Sequence, residues 1–580
     1  MPVVPKFKLL VDANRDGLAD DKDALVDRSV WTNQVGAVFL PNIDDDSKRC
    51  SLKDANGKAL SDDVLATCSD ASDDFVNGAQ DVLDLSPVVI PAWPEASTGA
   101  TAKLSISPAD RVRVFKKLGA TNFPKVDLAT EKLTATDLKA GVEFAIEGLD
   151  VVRDAAVWDG FIEIVLTVEV PSNGDLIVPG TYTDKVRMRV SPFMTFHHLS
   201  PSETTYVSLL SGGFEGQASA AFRSALKTAV NGVSPAVVEP ATDDPWMQDF
   251  VETAYMSKPG AGGAQHVMRV FLRAANWYGA QYGLREAGRL AFTKFRGPDV
   301  AGIQQYLKST PQSMQSLNSY GNLETVPPYT HNGKSYPLGR RIRGNVPSFY
   351  TDKSFTRLLE SQGNQKHIDV DTSWLVVSHI DETVSFVKAP STRGWAMLVA
   401  DPRLARKMLE KAQADGFGAS VMHKGKIWGY DDNNNVIKAD ITINDVLNDT
   451  DIMAKSEMAA VEIDAQVAII KQETGLLDSE IVPIPFLFMD TDGALIAYQP
   501  GMVNGLVVDS AHMVSPDPFG PIINGKDMFK AAVETAVAPL GVSMKWVDDW
   551  DLYHVALGEV HCGTNSMRKI PDTKWWENMP

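Results

Sequence analysis

Gly558-Glu559-Val560-His561-Cys562-Gly563-Thr564-Asn565 lies near the end of a 580-residue chain that contains only three cysteines. A thiol is the strongest nucleophile among the side chains, and a polar, glycine-flanked loop leaves it open to a substrate. On this reading Cys562 is a catalytic nucleophile. Taken alone, a single cysteine is more often a small buried hydrophobe. The choice depends on partners elsewhere in the chain, and the reading of the fold follows from it.

Two further stretches offer such partners. In Pro245-Trp246-Met247-Gln248-Asp249-Phe250-Val251-Glu252, a strand would turn Asp249 to one face and Gln248, Phe250 and Glu252 to the other, so one short segment would serve two sites. In Trp374-Leu375-Val376-Val377-Ser378-His379-Ile380-Asp381-Glu382-Thr383, the apolar, β-branched start reads as a buried strand, and the two-residue interval sets His379 and Asp381 side by side. A cysteine, a histidine and two aspartates suit a guanidinium group. It is planar and permanently charged, so an enclosed site must offset its desolvation with carboxylates, two of which can grip its nitrogens. Asp249 and Asp381 would take that role. Cys562 would attack the central carbon, His379 would protonate the departing ammonia, and water activated by the same histidine would cleave the covalent thiouronium to leave a ureido product. A cysteine protease needs the thiol and the imidazole but no second buried acid. Read singly, His379 also fits a satisfied core histidine, and Asp249 and Asp381 fit solvated loop acids.

The length suggests about three domains at roughly 100–200 residues each, fewer if one is a large α/β unit. A composition 44% apolar and 22% charged is that of a soluble globular chain. Its 74 acidic against 55 basic residues give a formal charge of -19, which repels phosphate backbones and anionic membranes, so no nucleic acid and no membrane is expected as a partner. No apolar run approaches the roughly 18 residues that cross a bilayer, and the opening residues lack a signal-peptide pattern. A cytoplasmic location is expected, with a secreted form left open. Three cysteines cannot build a disulfide framework, and Cys50 and Cys68 are left as either free or paired.

Phe7 to Val11 reads as a short strand running into Asp12-Ala13-Asn14-Arg15-Asp16-Gly17. Oxygen side chains at Asp12, Asn14 and Asp16, a glycine at the bend and an acid at Asp23 follow the spacing of a calcium loop, although an exposed Asx-rich turn has the same composition. Acids then recur densely from Asn42 to Asp84, among them Asp70, Asp73, Asp74, Asp81 and Asp84. Metal would relieve their repulsion and join them to the first loop in one multi-calcium patch. From Leu85 to about Ser191, β-rich runs at 102–106, 112–116, 142–146, 161–170 and 184–190 suggest an antiparallel sandwich of immunoglobulin type. Beyond a boundary near Pro192 to Pro201, helical patterns at 216–233, 303–307, 403–414 and 526–540 alternate with strands, which makes the second part α/β. No repeat of fixed period is present.

These residues resemble a known family. Asp249, His379, Asp381 and Cys562 in the stretches quoted above resemble the catalytic motifs of the peptidylarginine deiminases. Tyr320-Gly321-Asn322-Leu323-Glu324, Tyr336-Pro337-Leu338-Gly339-Arg340, Met502-Val503-Asn504, Pro518-Phe519-Gly520-Pro521 and Lys574-Trp575-Trp576 look like that family's supporting stretches. The resemblance implies an immunoglobulin-like β-sandwich domain over residues 1–195, and a pseudo-fivefold α/β propeller, the pentein fold, over 196–580. It implies calcium-dependent hydrolysis of protein-bound arginine to citrulline, with arginine-containing proteins or peptides as partners and Ca2+ as cofactor. Gln248, Glu252 and Glu324, with the carbonyls of Tyr320 and Leu323, resemble one calcium site, a set that suits a hard cation. Asp12, Asn14, Asp16, Asp70, Asp73, Asp81 and Asp84 resemble the ligands of the first part, to which Asp299 would be lent by the catalytic part. Trp246 would wall the guanidinium. Departures are equally specific. Phe250 stands where the family has an acid of a second calcium site, and Val270 to Arg273 lacks the Asp and Ser expected there, so that ion is expected to be absent. Ala556 stands in place of a substrate-contacting arginine. The family's first immunoglobulin-like domain, which takes part in its dimer contact, has no counterpart here, so a monomer is expected. A deiminase of free arginine or agmatine is the alternative, and a non-catalytic calcium-binding scaffold protein a more distant one.

Overall fold

Phe161–Val170 buries every second side chain, the period of a strand with one wet face. In the computed structural model, which describes residues 4–173, 176–233, 236–308, 315–347, 349 and 351–580, this strand is the centre of a sheet. It pairs antiparallel with Thr101–Ser107 and Gly180–Val190. A second antiparallel sheet is built from Ser86–Ile90, Val142–Gly148 and Val112–Lys116. Ile164, Leu166 and Val168 of the first sheet share one apolar core with Val88, Phe144 and Ile146 of the second.

One local expectation, the strand over Phe7 to Val11, fails here. Ala37–Phe39 joins the first sheet parallel to Met188–Val190, which the long intervening excursion of chain permits. Phe7 to Val11 is no strand: Leu10 alone pairs, with Val89, before the Asp12 carboxylate accepts the Gly17 N–H at 3.1 Å and turns the chain. The strands of this region end at Val190, because Met194–Thr195 already pairs with Ala254 and Tyr255 of the following sheet.

From Ser202 onward one pattern recurs in five sheets among the described residues. Each has a central strand with one parallel partner, reached through a crossover connection, and one antiparallel neighbour. The first unit centres on Ser202–Val207, with Ala236–Val238 parallel beyond helix Gly213–Ala229. In the second, Gln265–Arg273 reaches Val300–Ile303 through short turns including Glu286–Arg289. The third runs from Arg340–Asn345 through Lys353–Ser361 to Ile368–Asp371. The fourth runs from Trp395–Asp401 to Ile481–Pro485, with Pro402–Ala412 and Thr450–Thr474 between. The fifth runs from His512–Pro516 through Met528–Val537 to Ser543–Val547. The antiparallel neighbours are, in the same order, Thr564–Arg568, Val251–Pro259, Leu323–Val326, Val384–Lys388 and Leu506–Val507. Unit one therefore takes its outer strand from the far end of the chain.

The helix expected over 303–307 is absent. Ile303 is a buried strand residue and Leu307 is exposed, so their helical spacing joined two residues with unrelated environments. No helix among the described residues is long and apolar enough to cross a membrane.

Arg15 ties the acid loop to the end of the chain. Its buried guanidinium donates to the carbonyls of Gly36, Asn33, Thr32, Val35 and Trp576. Arg15→Met keeps much of the volume but strands these five acceptors, and at about 1 kcal/mol per bond it is expected to cost about 5 kcal/mol. A urea titration followed by tryptophan fluorescence reads this as a lower midpoint, and an unchanged midpoint contradicts the role.

Candidate active site

The segments just before the five antiparallel strands carry the site. Met247–Phe250 is a single helical turn before Val251–Pro259, and Tyr320–Asn322 is a 3-10 turn before Leu323–Val326. Ile380–Glu382 is a 3-10 turn before Val384–Lys388, Asn504 precedes Leu506–Val507, and Cys562 precedes Thr564–Arg568. Neither Pro245 to Glu252 nor Trp374 to Thr383 is the strand that its apolar residues suggested. Ser378, directly before His379, takes a left-handed backbone with φ of 64°, which ends any extended run.

Cys562 is buried, its Sγ 3.7 Å from Asp381 Oδ2 and 3.5 Å from Asn504 Oδ1. The same Asn504 oxygen lies 3.4 Å from the Cys562 N–H. His379, fully buried, has Nε2 2.8 Å from the Ser316 carbonyl. A carbonyl only accepts, so Nε2 carries the proton, and Nδ1 faces Asp249 Oδ1 at 3.8 Å and Asp381 Oδ1 at 4.0 Å. Trp246, Asp249, His379 and Cys562 line one cavity of ≈ 430 Å³ with Asp244, Tyr278, Arg285 and Ala556.

Two glycines permit this crowding. A Cβ on Gly321 would lie 2.5 Å from His379 Nδ1 and 3.0 Å from Asp381 Oδ2, and one on Gly558 would lie 2.3 Å from the Trp246 ring.

Burial, then the nearby carboxylates of Asp381 and Asp249, push the Cys562 thiol well above its ordinary range. Burial also raises Asp249, against the pull of the Arg285 guanidinium. Arg285 is gripped by both oxygens of Asp244, at 2.7 and 2.9 Å, and reaches Asp249 Oδ2 at 3.2 Å. Asp249 Oδ1 is buried without a hydrogen-bond partner. A carboxylate holding one guanidinium thus keeps its other oxygen turned to the cavity.

The far face of the Met247–Phe250 turn meets a second pocket. Gln248 Nε2 donates to Glu252 Oε2 at 2.7 Å and to the Tyr320 carbonyl at 3.3 Å. Gln248, Glu252, Leu323 and Glu324 line this pocket with His198, His561 and Arg568. Burial, then Glu324, push Glu252 up to about 8, and Glu324 Oε1 is buried without a hydrogen-bond partner. Two crowded carboxylates, an amide and backbone carbonyls fit a hard cation. His561 Nδ1 lies 2.8 Å from Asp381 Oδ2 and so bridges the two pockets.

The early acids are distributed unevenly. Asp23, placed as a loop acid by spacing, spends its carboxylate on the N–H groups of Ala13, Asn14 and Asp20. Asn14 accepts from the Asp16 N–H, and Asp16 pairs with Lys22 at 3.1 Å. Asp12 keeps one buried unpaired oxygen and is pushed up to about 7, chiefly by burial. Asp12 shares a cleft with Lys258, whose ammonium donates to the carbonyl of Asp84 at 3.0 Å. Two tight groups form beyond it: Asp44 with Asp46 and Asp84, and Asp84 with His266 and Asp299, each with ligand atoms within 4.8 Å of one another. One oxygen of Asp44, both of Asp46 and one of Asp84 are buried without partners. Burial, then Asp84, push Asp44 up to about 10 and Asp46 to about 7. Such an uncompensated cluster also fits cations. Asp70 borders it, accepting the Asp46 N–H at 2.7 Å, and Asp81 is tied to Asn42 at 2.7 Å. Asp73 is turned away onto Arg49.

Sequence reading passed over Asp44, Asp46, His266, Arg285, Asn504, His198 and His561 as site residues. Asp44 and Asp46 lay inside the acid-rich run, and Asn504 and His561 lay inside quoted motifs. His266, Arg285 and His198 had no local signal.

The profile of the family described as "Protein-arginine deiminase (PAD)" matches residues 180–577, a span that contains Asp249, His379, Asp381 and Cys562. Human protein-arginine deiminase type-3 is 30% identical over 594 residues, which cover 98% of this chain and 82% of the relative. Human protein-arginine deiminase type-4 is 28% identical over 599 residues, covering 99% and 83%. Among solved structures, C. jejuni agmatine deiminase is similar at 12% identity over 66% of this chain and 97% of its own, with a TM-score of 0.36. With the matched profile spanning well over half of its length, the chain belongs to the protein-arginine deiminase family.

Proposed function

We propose that this hydrolase, which acts on the C–N bond of protein-bound arginine, works through a covalent thiouronium on Cys562 and depends on calcium. The observation that carries the reading is the placement of a buried thiol between two carboxylates in a cavity that already holds one guanidinium. A substrate guanidinium entering along Trp246 pairs with Asp249 Oδ1 and with Asp381. Its charge offsets the two acids that hold the thiol protonated, so substrate binding itself promotes the thiolate. The thiol gives its proton to His379 Nδ1 as Sγ bonds to the guanidinium carbon, and the C–N bond to a terminal nitrogen breaks as that nitrogen takes this proton and leaves as ammonia. Water then gives a proton to His379 and its oxygen to the carbon, the C–S bond breaks, and citrulline is released.

Calcium held by Gln248, Glu252, Glu324 and the carbonyls of Tyr320 and Leu323 would supply the charge that keeps these acids ionised. Because Gln248 and Glu252 bracket Asp249, ordering them fixes the turn that carries it. Asp44, Asp46, Asp70, Asp81, Asp84 and Asp299 are the second set for such ions, with Asp12, Asn14 and Asp16 beside them. No further ion is proposed near Phe250, which is buried in an apolar cluster with Phe271, next to the buried cation Arg273. The five recurring sheets and the return of the last strand to the first unit support a pseudo-fivefold pentein propeller. The two sheets with a common core support an immunoglobulin-like first domain. The bond between Cys50 and Cys68 supports an oxidising compartment over the cytoplasm.

Ala556 on the cavity wall leaves room for the other reading, a deiminase of free arginine. Comparing kcat/KM for an internal peptide arginine and for free arginine decides it, and the peptide is expected to win.

Three outcomes are expected. Citrulline formation on a basic peptide, assayed with and without chelator, falls to background without calcium and in Cys562→Ala; activity indifferent to either overturns the reading. Gly321→Ala drives a methyl into His379 and against Asp381 and lowers kcat/KM by at least about 100-fold, the scale of losing a positioned acid–base group, with a modest fall in melting temperature from the overpacking. A cationic haloacetamidine inactivates the enzyme much faster than neutral iodoacetamide at pH 7. Because the thiol is raised, the iodoacetamide rate climbs as pH rises above 9, and equal rates at pH 7 contradict charge-assisted thiolate formation.

A further inference from the structure

The pocket behind the active-site wall holds more than oxygen ligands. His198 Nε2 lies 2.9 Å from Glu324 Oε2, and His561 Nε2 lies 3.4 Å from Glu324 Oε1. These donor atoms all fall within 4.8 Å of one another. Both imidazoles are buried, with ring centroids 5.7 Å apart. Their other nitrogens are engaged: His561 Nδ1 with Asp381 at 2.8 Å, and His198 Nδ1 with Ser385 Oγ at 3.4 Å. That is how metal-binding histidines are oriented, the second nitrogen on a carboxylate or hydroxyl and the first aimed at the ion. Glu324 Oε1, 5% exposed as part of a buried residue, has no hydrogen-bond partner of its own.

We propose that His198, Glu324 and His561 form a site for a zinc-class transition-metal ion that competes with calcium for Glu324 and holds the enzyme inactive. Two imidazoles and one carboxylate with a fourth position for water suit zinc, whereas calcium seeks six to eight oxygens and gains little from a ring nitrogen. The proton shared between His198 Nε2 and Glu324, and the one on His561 Nε2, leave to solvent as the ion enters. Glu324 is then withdrawn from Gln248 and Glu252, and His561, the neighbour of Cys562 and partner of Asp381, is fixed in place. The binding site stands on geometry alone; its inhibitory effect rests on the calcium reading given above.

The test uses cobalt(II) as the visible probe, titrated into calcium-free full-length Cys562→Ala so that the thiol cannot serve as ligand. One saturable equivalent with the absorption of a tetrahedral nitrogen–oxygen site is expected, displaced by zinc. His198→Gln in the same background should weaken binding by at least roughly tenfold. His198→Cys should keep the ion and add a sulfur-to-cobalt charge-transfer band, a gain of signal that a misfolded variant does not give. With Cys562 intact, zinc should inhibit citrulline formation competitively with calcium, and His198→Gln should raise the inhibiting concentration at least tenfold relative to its own zinc-free rate. No saturable cobalt binding, binding unchanged by His198→Gln, or no new band in His198→Cys overturns the site. If the site forms but calcium fails to displace cobalt, the calcium assignment of Glu324 fails and the metal site stands.

Discussion

The pairing of Thr564–Arg568 with Ser202–Val207 is the contact on which the rest depends. It brings the end of the chain back to the first of five similar sheets, and with it the loop that carries Cys562. The Cys562 carbonyl accepts the Gln248 N–H at 3.1 Å, and Asn565 Nδ2 donates to the Val251 carbonyl at 2.7 Å. These bonds stitch the nucleophile to the turn that carries Asp249 and Gln248. This contact holds together groups more than 300 residues apart in sequence.

Because every antiparallel strand is entered through a short turn, each unit delivers its polar side chains at an equivalent place. Turns free the side chains from strict alternation. Gln248 and Asp249 are consecutive yet serve different pockets, and Tyr320 offers a carbonyl to one pocket while Gly321 makes room for His379 in the other. The pockets are electrically continuous through Glu324, His561 and Asp381. Burial opposes charge on His561, but Glu324 and Asp381 overcome it and push the imidazole up to about 9. Any change in charge around Glu324 therefore reaches Asp381, and through it the sulfur 3.7 Å away. That coupling needs no movement of the backbone.

The chemistry was more legible in sequence than the architecture. A thiol, an imidazole and two acids in long motifs specify a guanidinium site whatever the backbone between them does, and the α/β character of the second part follows from alternating patterns. The fivefold recurrence was legible only through the family resemblance, because it is a repeat of pairing and connection with no repeat of residues: the second unit crosses over through short turns, while the fourth inserts a helix as long as Thr450–Thr474. The strands read over Pro245–Glu252 and at the start of Trp374–Thr383 do not form for a related reason. Trp246 and Val377 line the cavity of the site, so their apolar character serves the site and carries no strand period. The β-rich run at 161–170 could be placed because its burial alternates from residue to residue. Arg285 and His198 escaped notice because their roles come entirely from residues distant in sequence.

Arg285 also bears on how selective the cavity is for a cation. Asp244, Asp249 and Asp381 are formally three negative charges in and beside a buried space, and Arg285 supplies one positive charge fixed by Asp244. With the His561 imidazolium on Asp381, a neutral group entering there would leave one carboxylate uncompensated in a poorly solvated site, which costs several kcal/mol. A second guanidinium offsets it directly. The internal arginine thus removes enough charge for the protein to fold around the cavity while leaving a deficit that only a cation can fill. A cavity with no arginine would carry a larger desolvation burden, and one with two would no longer favour its substrate.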